Sequence, residues 1–388
     1  MTMEDAAPLL RALAGARDLV RAQAADADRR SALSDEVVGR LVEARLFRLW
    51  IPRRYDGLEL SLPAALAVYE AAAHIDGSFG WSVMIGAGGG LFAAWLEEDS
   101  AREIYEPSPA VIAGSGAPAG RAERVPGGYR ASGQWRYASG APYATTFTAN
   151  CVVTESGEPV RDASGAPLVR AMAFHRSDVT VLPTWDTTGL RATASHDFRV
   201  DDVFVPETRT FSVFTDAPRE PGPLYRLPFE VLTELPVAAV ACGIARHALD
   251  EFAALAAVKT PQGARLRLAD DELARAAFAR THAAVGLARH GNAALAERAW
   301  AAVGGRALAP AERAEITAAC AHGVASLRTA VDELLSFSGM SGIEQDAALA
   351  RAARDLRALT AHFSVGPRQL AAAGGALLAG ASAARGDV

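Results

Sequence analysis

GMSGIEQDAALARAARDLRALTAHF, residues 339–363, is the stretch on which the fold and the chemistry turn. Asp346 stands at its start, and from Arg351 onward it holds good helix formers without Gly or Pro, which predicts a helix. At about 3.6 residues per turn, Arg351, Asp355, Ala358 and His362 fall on one stripe. Arg351 and Asp355 are spaced to pair at i,i+4, in the weaker, cation-first order. His362 then sits two turns beyond Asp355, on the same face. Spacing alone describes a solvated amphipathic helix with one partly buried histidine. The neighbouring segments say more.

A chain of 388 residues exceeds what one core usually supports, so several packed layers or subdomains are expected. Half the residues are hydrophobic, as in an ordinary globular interior. A net charge of −6 and a pI near 5.8 argue against a nucleic-acid partner, which calls for a basic excess. Cys151, Cys242 and Cys320 are far apart with no CxxC, so neither a disulfide framework nor a metal site is indicated. The acidic start, MTMEDAAPLLRAL, lacks a signal pattern, and a reducing cytoplasmic location is the expectation. Phe79–Leu96 is uncharged over roughly the length of a membrane span. Its glycines and the acidic EED behind it favour a buried helix over membrane contact.

The first third reads as helices: Ser34 caps one, Ser61 and Pro63 open another, and Asp76–Ser78 marks a turn. From about Ala110 the chain turns to short strands, with turns at Thr154–Pro159 and Asp162–Pro167. Helices return from about Leu235, from Asp270 and Asp271, and from Pro310 to Phe337. The expected architecture is α+β: a helical domain at 1–109, a β domain at 110–218 and a helical bundle at 219–388. The GSG at Gly114–Gly116 is not a dinucleotide fingerprint.

Five segments, taken together, carry a resemblance. They are DGSFGW (76–81), GSGAPAGRAERVPGGYRASGQWRYASG (114–140), WDTTGLRATASHDFRVDDVFVPE (185–207), KTPQGARLRLADD (259–271) and LARAARDLRALTAH (349–362). Over nearly its whole length the chain resembles the acyl-CoA dehydrogenase superfamily, most closely its two-component flavin-dependent monooxygenases. The resemblance implies a central β-barrel-like domain followed by a four-helix-type bundle, with flavin between them. It implies reduced FMN or FAD as cofactor, O2 as co-substrate, a separate flavin reductase, a small-molecule substrate and a homotetramer or homodimer.

Site residues follow from the same resemblance. A monooxygenase of this branch forms a C4a-hydroperoxide, so it needs a dry site, a partner at flavin N5 and a group managing the peroxide's proton. His362 matches the histidine near C4a, and Ser139 the serine facing N5; a plain turn serine before Gly140 is the other reading. Gly114 and Ser115 match the segment lining the isoalloxazine, with Trp135 and Trp185 packing beside it or in the core. Lys259, Arg265 and Arg267 match a loop reaching a flavin phosphate, often a neighbouring subunit's, and Arg351 and Arg354 are expected at the cofactor. Asp346 lies where the dehydrogenases carry their catalytic acid, so it is either a base on an acyl thioester, a substrate-orienting group or an N-cap. The glycines of IGAGGGLF (85–92) stand where some members have a second histidine, and would enlarge a pocket for a bulky substrate. Hydroxylation of an aromatic or polyketide-like ring is the first expectation. The alternatives are amine N-hydroxylation and acyl-CoA dehydrogenation.

Overall fold

The computed structural model describes residues 3–386. Its N-terminal helices are α1 (Ala7–Arg30), α2 (Asp35–Glu43), α3 (Leu62–Ile75), α4 (Gly77–Gly88) and α5 (Glu98–Tyr105). A sheet follows, built from β1 (Ile112–Val125), β2 (Gly128–Ala138), β3 (Thr146–Glu155), β4 (Glu158–Pro159), β5 (Val169–His175), β6 (Thr180–Leu182), β7 (His196–Pro206) and β8 (Thr210–Phe211). The chain ends in α6 (Val231–Val258), α7 (Glu272–Val303), α8 (Pro310–Phe337), α9 (Ala348–Leu359) and α10 (Pro367–Gly386). Helices, sheet, helices is the predicted order.

The starts of α2, α3, α4 and α7 are set by side-chain caps, which satisfy amides that have no partner within the helix. Ser34 Oγ accepts from the Val37 amide at 3.2 Å, and Asp271 Oδ1 from the Ala274 amide at 2.8 Å. Asp76 does the same for Phe79 at 3.1 Å, so the expected turn at 76–78 is in fact the start of α4. The uncharged run at 79–96 becomes most of α4 and a 3-10 turn (Gly89–Ala94), almost wholly buried. Among the described residues one helix, α6, is long and apolar enough to cross a membrane, and 89% of that stretch is buried inside the protein.

The sheet runs β6-β7-β2-β1-β3-β5-β8, with β4 paired to β3. Among the described residues only β1 and β3 pair in parallel; the other pairs are antiparallel. The predicted turns close it: Ser156 and Gly157 take φ 52° and 82°, and Asp162 Oδ1 accepts the Ser164 amide at 2.8 Å. Buried side chains form two clusters. One is continuous through both helical blocks and includes Trp50, Tyr69, Leu235 and Leu356. The other belongs to the sheet, where Trp135 stacks on Phe198 with ring centres 5.2 Å apart. The site lies where the end of β2 meets α4 and the turn after α9.

Candidate active site

The end of β2 is re-aimed by a bulge. Trp135 pairs with Phe198 and Ala138 with His196, which leaves Tyr137 in the left-handed region at φ 71°. Ser139 follows at once, buried and turned towards the helices. Its Oγ accepts from Trp81 Nε1 of α4 at 3.1 Å and lies 2.7 Å from Ser195 Oγ. Ser195 Oγ is in turn 2.7 Å from Thr193 Oγ1, and Thr193 donates to the Leu190 carbonyl at 2.7 Å. A run of three buried hydroxyls therefore connects Ser139 to the backbone of the 185–195 loop.

That loop is strained: Leu190 (φ 52°) and Ala194 (φ 45°) are left-handed non-glycines, costing on the order of 1 kcal/mol or more each. Asp355 holds it in place. Its Oδ1 accepts the Leu190 amide at 2.6 Å, while Oδ2 is buried without a partner among the described residues. Burial and the nearby Asp76 carboxylate push the Asp355 acid well above its usual range. Gly189 touches α9 so closely that a Cβ would stand 2.1 Å from the Arg354 carbonyl oxygen.

Trp81 also contacts His362. The two rings meet edge to face, with centres 5.3 Å apart. His362 Nδ1 lies 2.8 Å from the Ser364 hydroxyl, which leaves Nε2 as the nitrogen without a hydrogen-bond partner among the described residues. Burial lowers its pKa to about 4, so the ring is neutral at pH 7. The expectation that His362 continues the α9 stripe is corrected. The helix ends at Leu359, and His362 sits in the turn beyond it with extended backbone.

The arginines of α9 have other occupations than expected. Arg351 is buried and donates through Nε to Asp76 Oδ2 at 3.2 Å rather than pairing with Asp355. Arg354 donates to Asp28 Oδ2 at 2.9 Å and to the Gln345 carbonyl. Both guanidinium groups thus tie α9 to α1 and α4. Asp346 is exposed and paired with Arg29 at 2.7 Å, and the N-cap position falls on Ala347, so Asp346 does not cap the helix. With α9 12 residues long at ~1.5 Å per residue, Asp346 and His362 lie beyond opposite ends of about 18 Å of helix.

The remaining expected residues are dispersed. Trp135 is fully buried in the sheet core, its Nε1 donating to the Asn150 carbonyl. Trp185 is half-buried beside Tyr137 and donates to the Leu190 and Arg191 carbonyls. Lys259 Nζ folds onto the Ser338 carbonyl at 2.6 Å and the Ser341 hydroxyl at 2.8 Å. Arg267 donates to the Ala257 carbonyl, and Arg265 is exposed. Gly114 pairs with Thr148, where a Cβ would stand 2.3 Å from the Thr148 oxygen. Between Ser115 and Gly120 the β1–β3 register slips, so four residues of β1 (116–119) face only Asn150 of β3. Backbone groups there are free of that ladder, except that the Gly116 carbonyl accepts from Asn150 Nδ2 at 2.8 Å.

The glycines at 85–92 do not open the pocket as expected. A Cβ at Gly86 would strike Phe47 at 2.4 Å, at Gly89 Ile112 at 2.4 Å and at Gly90 Ile51 at 2.8 Å. Only at Gly88 would it meet open space. Small residues serve close packing at three of the four positions. Trp81, Thr193, Ser195 and Ser364 carry the geometry without having been assigned a role, and Asp355 carries it in place of the expected pair with Arg351. The left-handed Ala194 between Thr193 and Ser195 is what brings their hydroxyls together, and no strand or helix periodicity signals it.

Comparison with known proteins agrees with this architecture. Residues 10–103 match the family described as acyl-CoA dehydrogenase, N-terminal domain, and residues 235–367 match acyl-CoA dehydrogenase, C-terminal domain. The chain is 33% identical to indole-3-acetate monooxygenase of Pseudomonas putida, over 91% of this chain and 89% of that one. It is 28% identical to the oxygenase subunit HsaA, a flavin-dependent monooxygenase of Mycobacterium tuberculosis, over 90% of this chain and 89% of that one. Among solved structures, XiaF from Streptomyces sp., in complex with FADH2 and glycerol, superposes with a TM-score of 0.87 at 25% identity. That match covers 96% of this chain and 94% of XiaF.

Proposed function

The chain belongs to the acyl-CoA dehydrogenase superfamily, in its branch of two-component flavin-dependent monooxygenases, and from that premise we propose that Ser139, Trp81 and His362 frame the reacting edge of its flavin. It is an oxygenase component that uses reduced flavin, FADH2 or FMNH2, and O2 on a small-molecule substrate. As in two-component systems generally, a separate reductase supplies the flavin. When bound, reduced flavin supplies the activation of O2 and the transfer of one oxygen atom to substrate.

The residues present fit that group. Ser139 Oγ accepts from Trp81 and keeps a second lone pair for the N5 hydrogen. His362 Nε2 is the nitrogen that moves a proton at the oxygen end, neutral because burial keeps it so. The backbone of 117–119, outside the β1–β3 ladder, takes the polar rim of the ring, while the Gly116 carbonyl is held by Asn150 Nδ2 at 2.8 Å. Trp81 touches both polar groups, donating to Ser139 and packing edge to face on His362, and so fixes them relative to each other. The observation that carries this reading is the convergence of Ser139 and His362 on Trp81. Arg265, exposed on the loop before α7, is assigned to a flavin phosphate of a neighbouring copy. Exposed Leu273 and Leu287 on α7 suit assembly as a homodimer or homotetramer, which sedimentation would measure. A reducing cytoplasm suits the three free, buried cysteines.

Aromatic ring hydroxylation is the proposed reaction. The relative of highest stated identity is named for indole-3-acetate, an aromatic acid. Acyl-CoA dehydrogenation has no support in Asp346, a solvated carboxylate held by Arg29 at the far end of α9. The test mixes the anaerobic complex with FADH2 or FMNH2 against labelled dioxygen, with a panel of indolic and phenolic acids. One labelled oxygen atom in a product supports the reading. Peroxide alone with every aromatic, together with flavin reduction by an acyl-CoA, defeats it.

A further inference from the structure

We propose that the hydroxyl chain Ser139–Ser195–Thr193 is proton-ordered in one direction, so that Ser139 can only accept at the flavin and the site selects reduced over oxidised flavin. The inference rests on the flavin site proposed above and deepens it. Three contacts of 2.7 Å join Ser139, Ser195, Thr193 and the Leu190 carbonyl in series. Each O···O contact this short requires one proton between its oxygens. The chain has three hydroxyl protons for three contacts. A carbonyl cannot donate, so Thr193 must give its proton to Leu190. Ser195 must then give its own to Thr193, and Ser139 its own to Ser195. The far end is equally determined, because Trp81 Nε1 can only donate to Ser139.

Ser139 is thereby left with one lone pair and no proton to offer. Dihydroflavin presents an N–H at N5 and finds an acceptor there. Oxidised flavin presents a bare N5 lone pair and finds another lone pair. The far end of the chain cannot turn over, because the Leu190 carbonyl is held in a strained loop by Asp355. Ser195 and Thr193 are positioning residues: they act on the flavin through Ser139.

The experiment is anaerobic titration of the full-length protein with FMN, FMNH2, FAD and FADH2, repeated on Ser195→Ala, Thr193→Val and Ser139→Ala. The wild type binds the reduced form of its flavin at least about ten-fold tighter than the oxidised form, the worth of one hydrogen bond. Ser195→Ala frees the Ser139 proton to donate to oxidised N5, so affinity for oxidised flavin rises about ten-fold. Thr193→Val gives a smaller rise, because one spare proton then serves two hydroxyls. Ser139→Ala weakens the reduced form and leaves the oxidised form unchanged. A loss of packing alone would not tighten any ligand, which separates ordering from a structural role. The midpoint potential of the bound flavin reads the same ratio independently, falling about 30 mV for each ten-fold lost. Equal wild-type affinities, or an unchanged ratio in both Ser195→Ala and Thr193→Val, would overturn the ordering while leaving the flavin site standing. Failure of the wild type to bind any of the four flavins would overturn both.

Discussion

His362 is neutral because burial disfavours its charged form, taking its pKa to about 4. A depressed pKa stabilises the fold above the unfolded value near 6.5 and loses that contribution as pH falls through about 4. The coupling of product to O2 consumed should therefore stay flat from about pH 6 to 8, with no histidine step in that window. His362→Ala should lower the product-to-peroxide ratio by about ten-fold or more, the usual worth of a positioned proton-transfer group. A peroxide assay run beside product analysis checks both, and intact coupling in His362→Ala would remove the assigned role. Asp346→Asn should change neither quantity, since it alters only an exposed pair with Arg29. At this scale the sequence was legible where a residue works through its neighbours in the chain. It was not where the partner is distant. The spacing of Arg351 and Asp355 suggests a pair, yet Arg351 serves Asp76 and Asp355 serves Leu190. No helical periodicity contains those partners.

The elements of the site form a closed circuit. Asp355 on α9 holds the 185–195 loop, and the loop's hydroxyls hold Ser139 at the end of β2. Ser139 meets Trp81 on α4, and Trp81 meets His362 in the turn after α9. The elements were readable one by one from caps and hydrophobic patterns, but their closure was not, because the bulge at Tyr137 and the left-handed Leu190 leave no trace in periodicity. Asp355→Ala should cost roughly 1–3 kcal/mol, by leaving the buried Leu190 amide unpaired. Asp355→Asn keeps an acceptor and mimics the neutral acid that the raised pKa favours, so it should be much milder. Denaturant unfolding of the pair separates the cases, and equal losses would show that charge, not the amide bond, is what Asp355 provides. Gly189→Ala should act at the same joint, since its new methyl meets backbone rather than a movable side chain. Lower flavin affinity with α-helical content unchanged would mark displacement of the loop alone.

Across the whole molecule, one helical core joins segments at the two ends of the chain, and α6 is its central member. Glu234 sits inside it, 3% exposed, with both carboxylate oxygens 2.9–3.0 Å from the Thr317 hydroxyl of α8. Burial raises its pKa from 4.5 to about 7, with Glu230 adding to the rise and Thr317 opposing it. A raised pKa stabilises the fold fully below the unfolded value and loses that stability as pH climbs through about 7. His247 works the other way, since burial lowers it to about 4 and its contribution is lost as pH falls from 6.5. Between about pH 4.5 and 6.5 the Glu234 loss is opposed by the gains at His247 and His362, so stability should peak near pH 6.5 and decline only from there to about pH 7. Glu234→Gln should remove the alkaline decline and be the more stable form at pH 8, by on the order of 3 kcal/mol at most. The two proteins should converge below about pH 4.5, where Glu234 is protonated in the folded and the unfolded chain alike. Unfolding curves at both pH values decide the matter. Parallel curves with a constant offset would mean that Glu234 contributes through its packing and Thr317 hydrogen bond, and not through titration.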